Sequence, residues 1–326
     1  MVKMSVSTKE PKLTISDLSK PTYPAGLSST LRFRAGLGLL AVLVAVSVVL
    51  AAGVGAVHVP SPEIVSMLLN RSGFVHLSQT WPQSDQTIIF QIRLPRVLAA
   101  ALVGAALSVA GVLFQGLFRN PLADPYVIGT SGGAAFGATL GAVLAFHFSI
   151  LGFGAIPALA FLGAVGAMVL VFRFSRVGGR TPVVTLMLVG FAISVILGYS
   201  VSLLLIVNER FEFNTRLIYS WLLGGIWIEH WSQLGLIALI VATGSAAAFM
   251  LARSLNGLAL GEESAEHLGI AVERQKAAVI VVGSLLTAAA VSAGGLIGFV
   301  GLIVPPFLRL LFGPNHSRLL PLAALG

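Results

Sequence analysis

Residues 35–57 read AGLGLLAVLVAVSVVLAAGVGAV, an apolar run with no charged side chain. A helix needs about 20 such residues to cross the hydrocarbon of a bilayer, so this run is long enough to span one. It lacks the alternation of a barrel strand, and in lipid a lone segment satisfies its own N–H and C=O groups only as a helix. Seven more runs follow, at residues 97–118, 126–148, 152–172, 183–207, 233–252, 277–293 and, interrupted by glycine and proline, 296–312. The sequence therefore predicts an all-α, polytopic membrane bundle with about eight transmembrane helices.

Composition agrees. Charged residues make up 10% of the chain, against roughly a quarter in an average soluble domain, which leaves too little polar surface to cover a core in water. Residues 1–34 differ: they are rich in Lys, Ser, Thr and Pro, contain no apolar run, and are expected to form a disordered cytoplasmic tail. Their polar lead is too long for a cleaved signal peptide. Residues 35–326 then form one transmembrane domain. The chain stops in a short apolar run at 319–326, where another span would begin, so this domain is expected to be incomplete at its C-terminus. Cysteine is absent, which excludes disulfides, thiolate metal sites and cysteine nucleophiles, and no metal site is predicted.

Orientation follows from charge. With the N-terminus inside and the runs threaded alternately, the outer loops hold five basic residues, Arg71, Arg93, Arg96, Arg210 and Arg216, and the inner side holds the other fifteen. Positive charge gathers on the cytoplasmic side of membrane proteins, so this is the threading expected. Seven of the twelve acidic residues also fall inside, and the whole net charge of +8 lies there. Basicity is thus explained by topology, and no nucleic-acid partner is expected.

No acidic residue falls within a run, whereas ion-coupled carriers place an ionisable group or unwound carbonyls at membrane depth to hold the coupling ion. A secondary transporter or channel is the alternative this weighs against. The phosphate-cradling loop G-x-x-x-x-G-K-[ST] is also missing, so ATP would have to be hydrolysed by another subunit. Gly129-Thr-Ser-Gly132 spells the G-x-S-G of a serine nucleophile, but His147, His230, His267 and His316 all fall at run ends or in loops, away from the general base such chemistry needs. Packing is the simpler role. Gly133, Gly137 and Gly141 recur every four residues, which lines one helix face and lets another backbone approach.

Three segments stand out. Gly294, Gly295, Gly298 and the pair Pro305-Pro306 point to a broken or re-entrant helix, which either flanks a pathway or is simply kinked. Gly261-Glu262-Glu263-Ser264-Ala265-Glu266-His267-Leu268-Gly269 reads as a short helix on the cytoplasmic face, acidic on one side and offering Ala265 and Leu268 on the other; it is either a solvated loop or a helix that docks on another protein. Arg93-Leu-Pro-Arg96 opens the second run against the positive-inside bias. These arginines would anchor to lipid phosphate or grip carboxylates of an external partner.

Together, Arg93-Leu-Pro-Arg96, Val103-Gly-Ala-Ala-Leu-Ser-Val-Ala-Gly111, Gln115, Arg119-Asn-Pro-Leu-Ala-Asp-Pro125, residues 260–269 and Gly294-Gly-Leu-Ile-Gly-Phe-Val-Gly-Leu-Ile-Val-Pro305 resemble the FecCD-type permeases of iron-siderophore, haem and vitamin B12 ABC importers. The likeness runs from Ala35 to the end. It implies a ten-helix subunit, paired with a second copy or a paralogous permease in a bacterial plasma membrane, among lipid. It also implies two ATPase subunits inside, carrying ATP and Mg, and a substrate-binding protein outside; the permease itself binds no cofactor and is no enzyme. Arg93 and Arg96 would receive the binding protein, Gly261 to Gly269 would be the coupling helix, and Asn120 and Leu122 would form part of a cytoplasmic gate. The chain departs from the family at Val183 and Val184, where relatives carry small hydroxyl residues, and at Pro305-Pro306, where they often show Pro-His.

Overall fold

The computed structural model describes residues 29–73, 78–79, 81–144, 148–149, 152–207, 212–226 and 228–326. Of the tail predicted over residues 1–34, residues 1–28 lie outside them. The first helix, α1 (Ser29–Gly53), begins six residues before the boundary expected from the apolar run. Leu31 and Phe33 are apolar, and Arg32 and Arg34 are good helix formers whose long stems can lie along apolar surface, so the helix extends through them.

After α1 come α2 (Ser61–Arg71), α3 (Gln83–Thr87), a π-helical turn (Ile88–Arg93) and α4 (Leu94–Phe118). A 3₁₀ turn (Pro125–Ile128) leads into α5 (Thr130–Val143), followed by α6 (Ala155–Phe174), α7 (Val183–Val207) and α8 (Glu212–Leu222). The chain continues through α9 (Trp231–Leu258), α10 (Glu262–His267), α11 (Val272–Gly294), α12 (Val300–Phe312) and α13 (His316–Ala323). Among the described residues there is no β-strand; an isolated bridge joins Val177 and Arg180.

Among the described residues six helices are long and apolar enough to cross a membrane, roughly consistent with the eight runs. The runs at 126–148 and 296–312 become α5 and α12, of 14 and 13 residues. Each is about 20 Å long, short of a hydrocarbon core of about 30 Å. Helix α5 is largely buried in the protein, whereas α12 buries one face through Gly301, Pro305 and Leu308 and exposes Ile303, Phe307 and Leu310.

Burial sorts the helices into layers. From Ala106 to Phe118, α4 is buried on every side, and α11 is nearly so from Gly283 to Gly294; they pack on each other, with Phe114 filling the space left by Gly283. By contrast, α1 and α7 expose Leu39, Val42, Leu43, Val46, Leu50, Leu188, Phe191, Ile196 and Leu203. A helix apolar all round with one face bare suits lipid. Helices α5 and α6 approach closely along a row of glycines. A Cβ placed on Gly133, Gly137 or Gly141 would strike the backbone carbonyl of Gly163, Leu159 or Ala155 respectively.

Candidate functional site

The break expected near Gly294 is present. Helix α11 ends there, Gly295 takes φ +66° and Phe299 φ +69°, and only then does α12 begin. This link is buried at its start and exposed at Gly298 and Phe299, and two bonds hold it: the Tyr126 hydroxyl donates to the Ile297 carbonyl (2.9 Å) and the Gly225 N–H to that of Gly294 (2.8 Å). A Cβ on Gly295 would meet the Trp221 carbonyl, so the chain passes there only because the residue is glycine.

Within α12, Pro305 and Pro306 have no N–H, which frees the carbonyls four residues earlier, Gly301 and Leu302. Buried Gln115 on α4 donates its Nε2 to both, at 3.1 and 3.3 Å. Its Oε1 accepts from Arg309, 3.3 Å away. Arg309 therefore does not simply reach out to water, as expected of a residue at a span end; it is half-buried against α4. Gly111 makes the close approach possible, since a Cβ on it would strike the Gly301 carbonyl. Sequence reading quoted Gln115 without a role. The signal was the Pro-Pro pair, whose orphaned carbonyls require a donor from elsewhere.

Arg93 and Arg96 sit in a longer helical run than the sequence implied, continuous from Gln83 to Phe118. The Arg93 guanidinium donates to the carbonyls of Ala52 (2.9 Å), Gly53 (3.2 Å) and Val57, closing the C-terminal end of α1. Arg96 is exposed. Beside them lies a cavity of about 590 Å³ lined by Arg71, Gln83, Gln86, Phe90, Glu229, His230 and Trp231, among others. Arg71 stacks over the Phe90 ring at 5.0 Å, and the Trp231 indole donates to the Phe90 carbonyl at 3.0 Å.

At the opposite end of the bundle the remaining candidates meet. Asn120 turns the chain after α4, its Oδ1 accepting from the Leu122 N–H (2.9 Å), and the Leu122 side chain is exposed. Half-buried Asp124 accepts from the Tyr126 N–H (2.8 Å); burial raises its pKa above the usual carboxylate value, and that hydrogen bond partly offsets the rise. Helix α10 lies beside this loop, with the Arg119 guanidinium next to Gly261. Gly261 (φ +113°) and Gly269 (φ +78°) bound it, in conformations that favour glycine. Ala265 is buried against Leu258 and Val272, whereas Leu268, expected on the same apolar side, is exposed with Glu263, Ser264, Glu266 and His267. Glu262 pairs with buried Lys276 of α11 at 2.7 Å, a contact that sequence reading missed because fourteen residues separate the partners.

A cavity of about 690 Å³ opens at this end between Gln115, Arg119, Asn120, Asn256, Arg309 and His316. His316 Nδ1 lies 2.7 Å from Asn256 Oδ1, which also accepts the His316 N–H. Burial, reinforced by the charge of Arg309, lowers the His316 pKa to about 4, so the ring is neutral at physiological pH. The G-x-S-G serine finds no described histidine on its neighbours: the described ones lie before α2, before α9, on α10 and on α13, while α5 packs on α6, α7, α8 and α11. Among the described residues no group of His, Cys, Asp or Glu could hold a metal.

A bundle of apolar helices, with an irregular link between α11 and α12 and cavities edged by charged side chains, is that of a polytopic membrane permease. Residues 42–326 match the model of the FecCD transport family, and the chain belongs to that family. It is 39% identical over 282 residues to the uncharacterized ABC transporter permease protein YvrB of Bacillus subtilis, covering 86% of this chain and 79% of that one. The cobalamin import system permease protein BtuC of Halobacterium salinarum is 43% identical over 75% of this chain and 64% of its own length. The hemin transport system permease protein HmuU of Yersinia pestis is 38% identical over 73% of this chain and 71% of its own. Among solved structures, an inward-facing conformation of a putative metal-chelate type ABC transporter superposes with a TM-score of 0.75 at 33% identity, covering 89% of this chain and 85% of that one. The protein is a permease subunit of an ABC importer.

Proposed function

We propose that this permease carries a metal chelate of the ferric siderophore, haem or cobalamin type across the plasma membrane, with its N-terminus cytoplasmic. The energy comes from two ATPase subunits, which bear the ATP and Mg, and the cargo is delivered by an external binding protein to a permease pair. The names of the relatives support the cargo class and the importer architecture, and the charge asymmetry supports the orientation. A carrier or channel working alone is not favoured by a family of ABC permeases.

One observation carries the reading of the energy source: α10 is a short helix set off from the bundle by two glycines, tied down by Ala265 and Glu262 while Glu263, Glu266 and Leu268 face outward. A small protruding helix of this kind suits a groove on a partner. Opening the path then requires that the ATPase bind its states unequally, with ATP supplying the difference. The test replaces Gly261 to Gly269 by a Gly/Ser linker of equal length in the co-expressed importer. The permease should still accumulate in the membrane while co-purification of the ATPase falls at least tenfold. Undiminished co-purification would overturn the reading.

A further inference from the structure

Lys276 is buried, yet it carries a charge whose three ammonium protons all have acceptors. It donates to Glu262 Oε2 on α10 at 2.7 Å, to Glu273 Oε1 on α11 at 3.1 Å and to the Thr181 carbonyl before α7 at 3.1 Å. The second Glu273 oxygen accepts the Thr181 N–H at 2.9 Å, closing the cluster. Three separate segments therefore meet on one ammonium. A buried ion pair is weak evidence for stability, because well-packed apolar residues of similar volume often serve as well. Its distinctive property is direction: charge-assisted hydrogen bonds hold geometry, whereas apolar contacts let two surfaces slide.

The tie matters because of what it joins. A six-residue helix has no independent stability, and apart from this cluster α10 is anchored by Ala265 and its small apolar patch. On the other side, α11 runs through the core to Gly294, where the irregular link to α12 begins. We infer that Lys276 is a positioning residue for energy coupling: it makes α10, α11 and the α6–α7 link move as one body, so that a displacement of α10 reaches the broken helix. This rests on the reading of α10 as the ATPase contact.

The chain has no cysteine, so a single reporter thiol can follow the far end of α11 without knowing the cargo. Gly298 is exposed, and a Cβ there meets nothing within 4 Å, which makes Gly298→Cys a mild reporter. In proteoliposomes holding the permease with its ATPase and binding protein, the labelling rate by a fluorescent maleimide is compared with and without ATP. In the reporter background ATP should change the rate. Lys276→Met should keep the ATPase bound and hydrolysing while cutting that change at least threefold, and Lys276→Arg should restore most of it. If Lys276→Met does not accumulate, Glu262→Ala cuts the same tie and leaves Lys276 paired with Glu273; it should give the same loss. An ATP-dependent change as large as in the parent overturns the inference, as does loss of the bound ATPase with Lys276→Met, which would make the cluster merely structural. Failure of the ATPase to co-purify with the unaltered chain is a separate result; it removes the α10 reading itself, and this inference falls with it.

Discussion

Proline decides several side chains in this protein. In the π-helical turn before α4, the Leu94 N–H bonds five residues back to Ile89, and the next residue is Pro95. Continuing that register would pair position 95 with the Phe90 carbonyl, and this is the acceptor that the Trp231 indole reaches. Gln115 does the same for the two carbonyls freed by Pro305 and Pro306. An unpaired carbonyl inside a membrane protein has no water to turn to, so each proline requires a donor on another helix. Replacing Gln115 by Leu should leave two buried carbonyls unsatisfied and cost about 2–4 kcal/mol. The measurement is thermal unfolding in detergent, and an unchanged midpoint would refute the role.

Among the elements, α5 and α6 show how small residues substitute for a hydrophobic driving force that lipid does not provide. Gly133, Gly137 and Gly163 bring the two backbones together, and a methyl on Gly137 would have no space beside the Leu159 carbonyl. Gly137→Ala should therefore part the helices and lower stability by about 1–3 kcal/mol. Gly38 on α1 provides the control, because nothing lies within 4 Å of a Cβ there; Gly38→Ala should stay within about 0.5 kcal/mol of the parent. Equal effects at the two sites would show that helix propensity, not interhelical contact, sets the response. The four-residue glycine spacing was legible in the sequence. Its partner helix was not, since spacing marks a face without saying what meets it.

At the scale of the whole molecule, Arg93 and Arg96 part company. Arg93 is committed to the carbonyls at the end of α1, while Arg96 is exposed. In the assembled importer, Arg96→Glu should leave membrane accumulation intact and weaken capture of the binding protein at least tenfold. Arg93→Glu should instead reduce accumulation, because it replaces a donor with a carboxylate facing α1 carbonyls. Pull-down with the purified binding protein, alongside quantitation of the permease in membranes, separates the two; loss of capture by neither variant would remove this surface from docking.

Taken alone, the sequence determined that the chain lives in lipid as helices, where the last helix breaks, and which short acidic segment stands apart. Hydropathy, glycine and proline act locally, so each of these can be read from neighbours in the chain. Only the tertiary structure decided that two of the eight apolar runs are short helices, that Arg93 serves α1, and that Gln115 and Lys276 hold distant segments together. Those roles depend on partners 14 to 194 positions away. Which donor meets which orphaned carbonyl or carboxylate is settled by packing, and no local pattern encodes it.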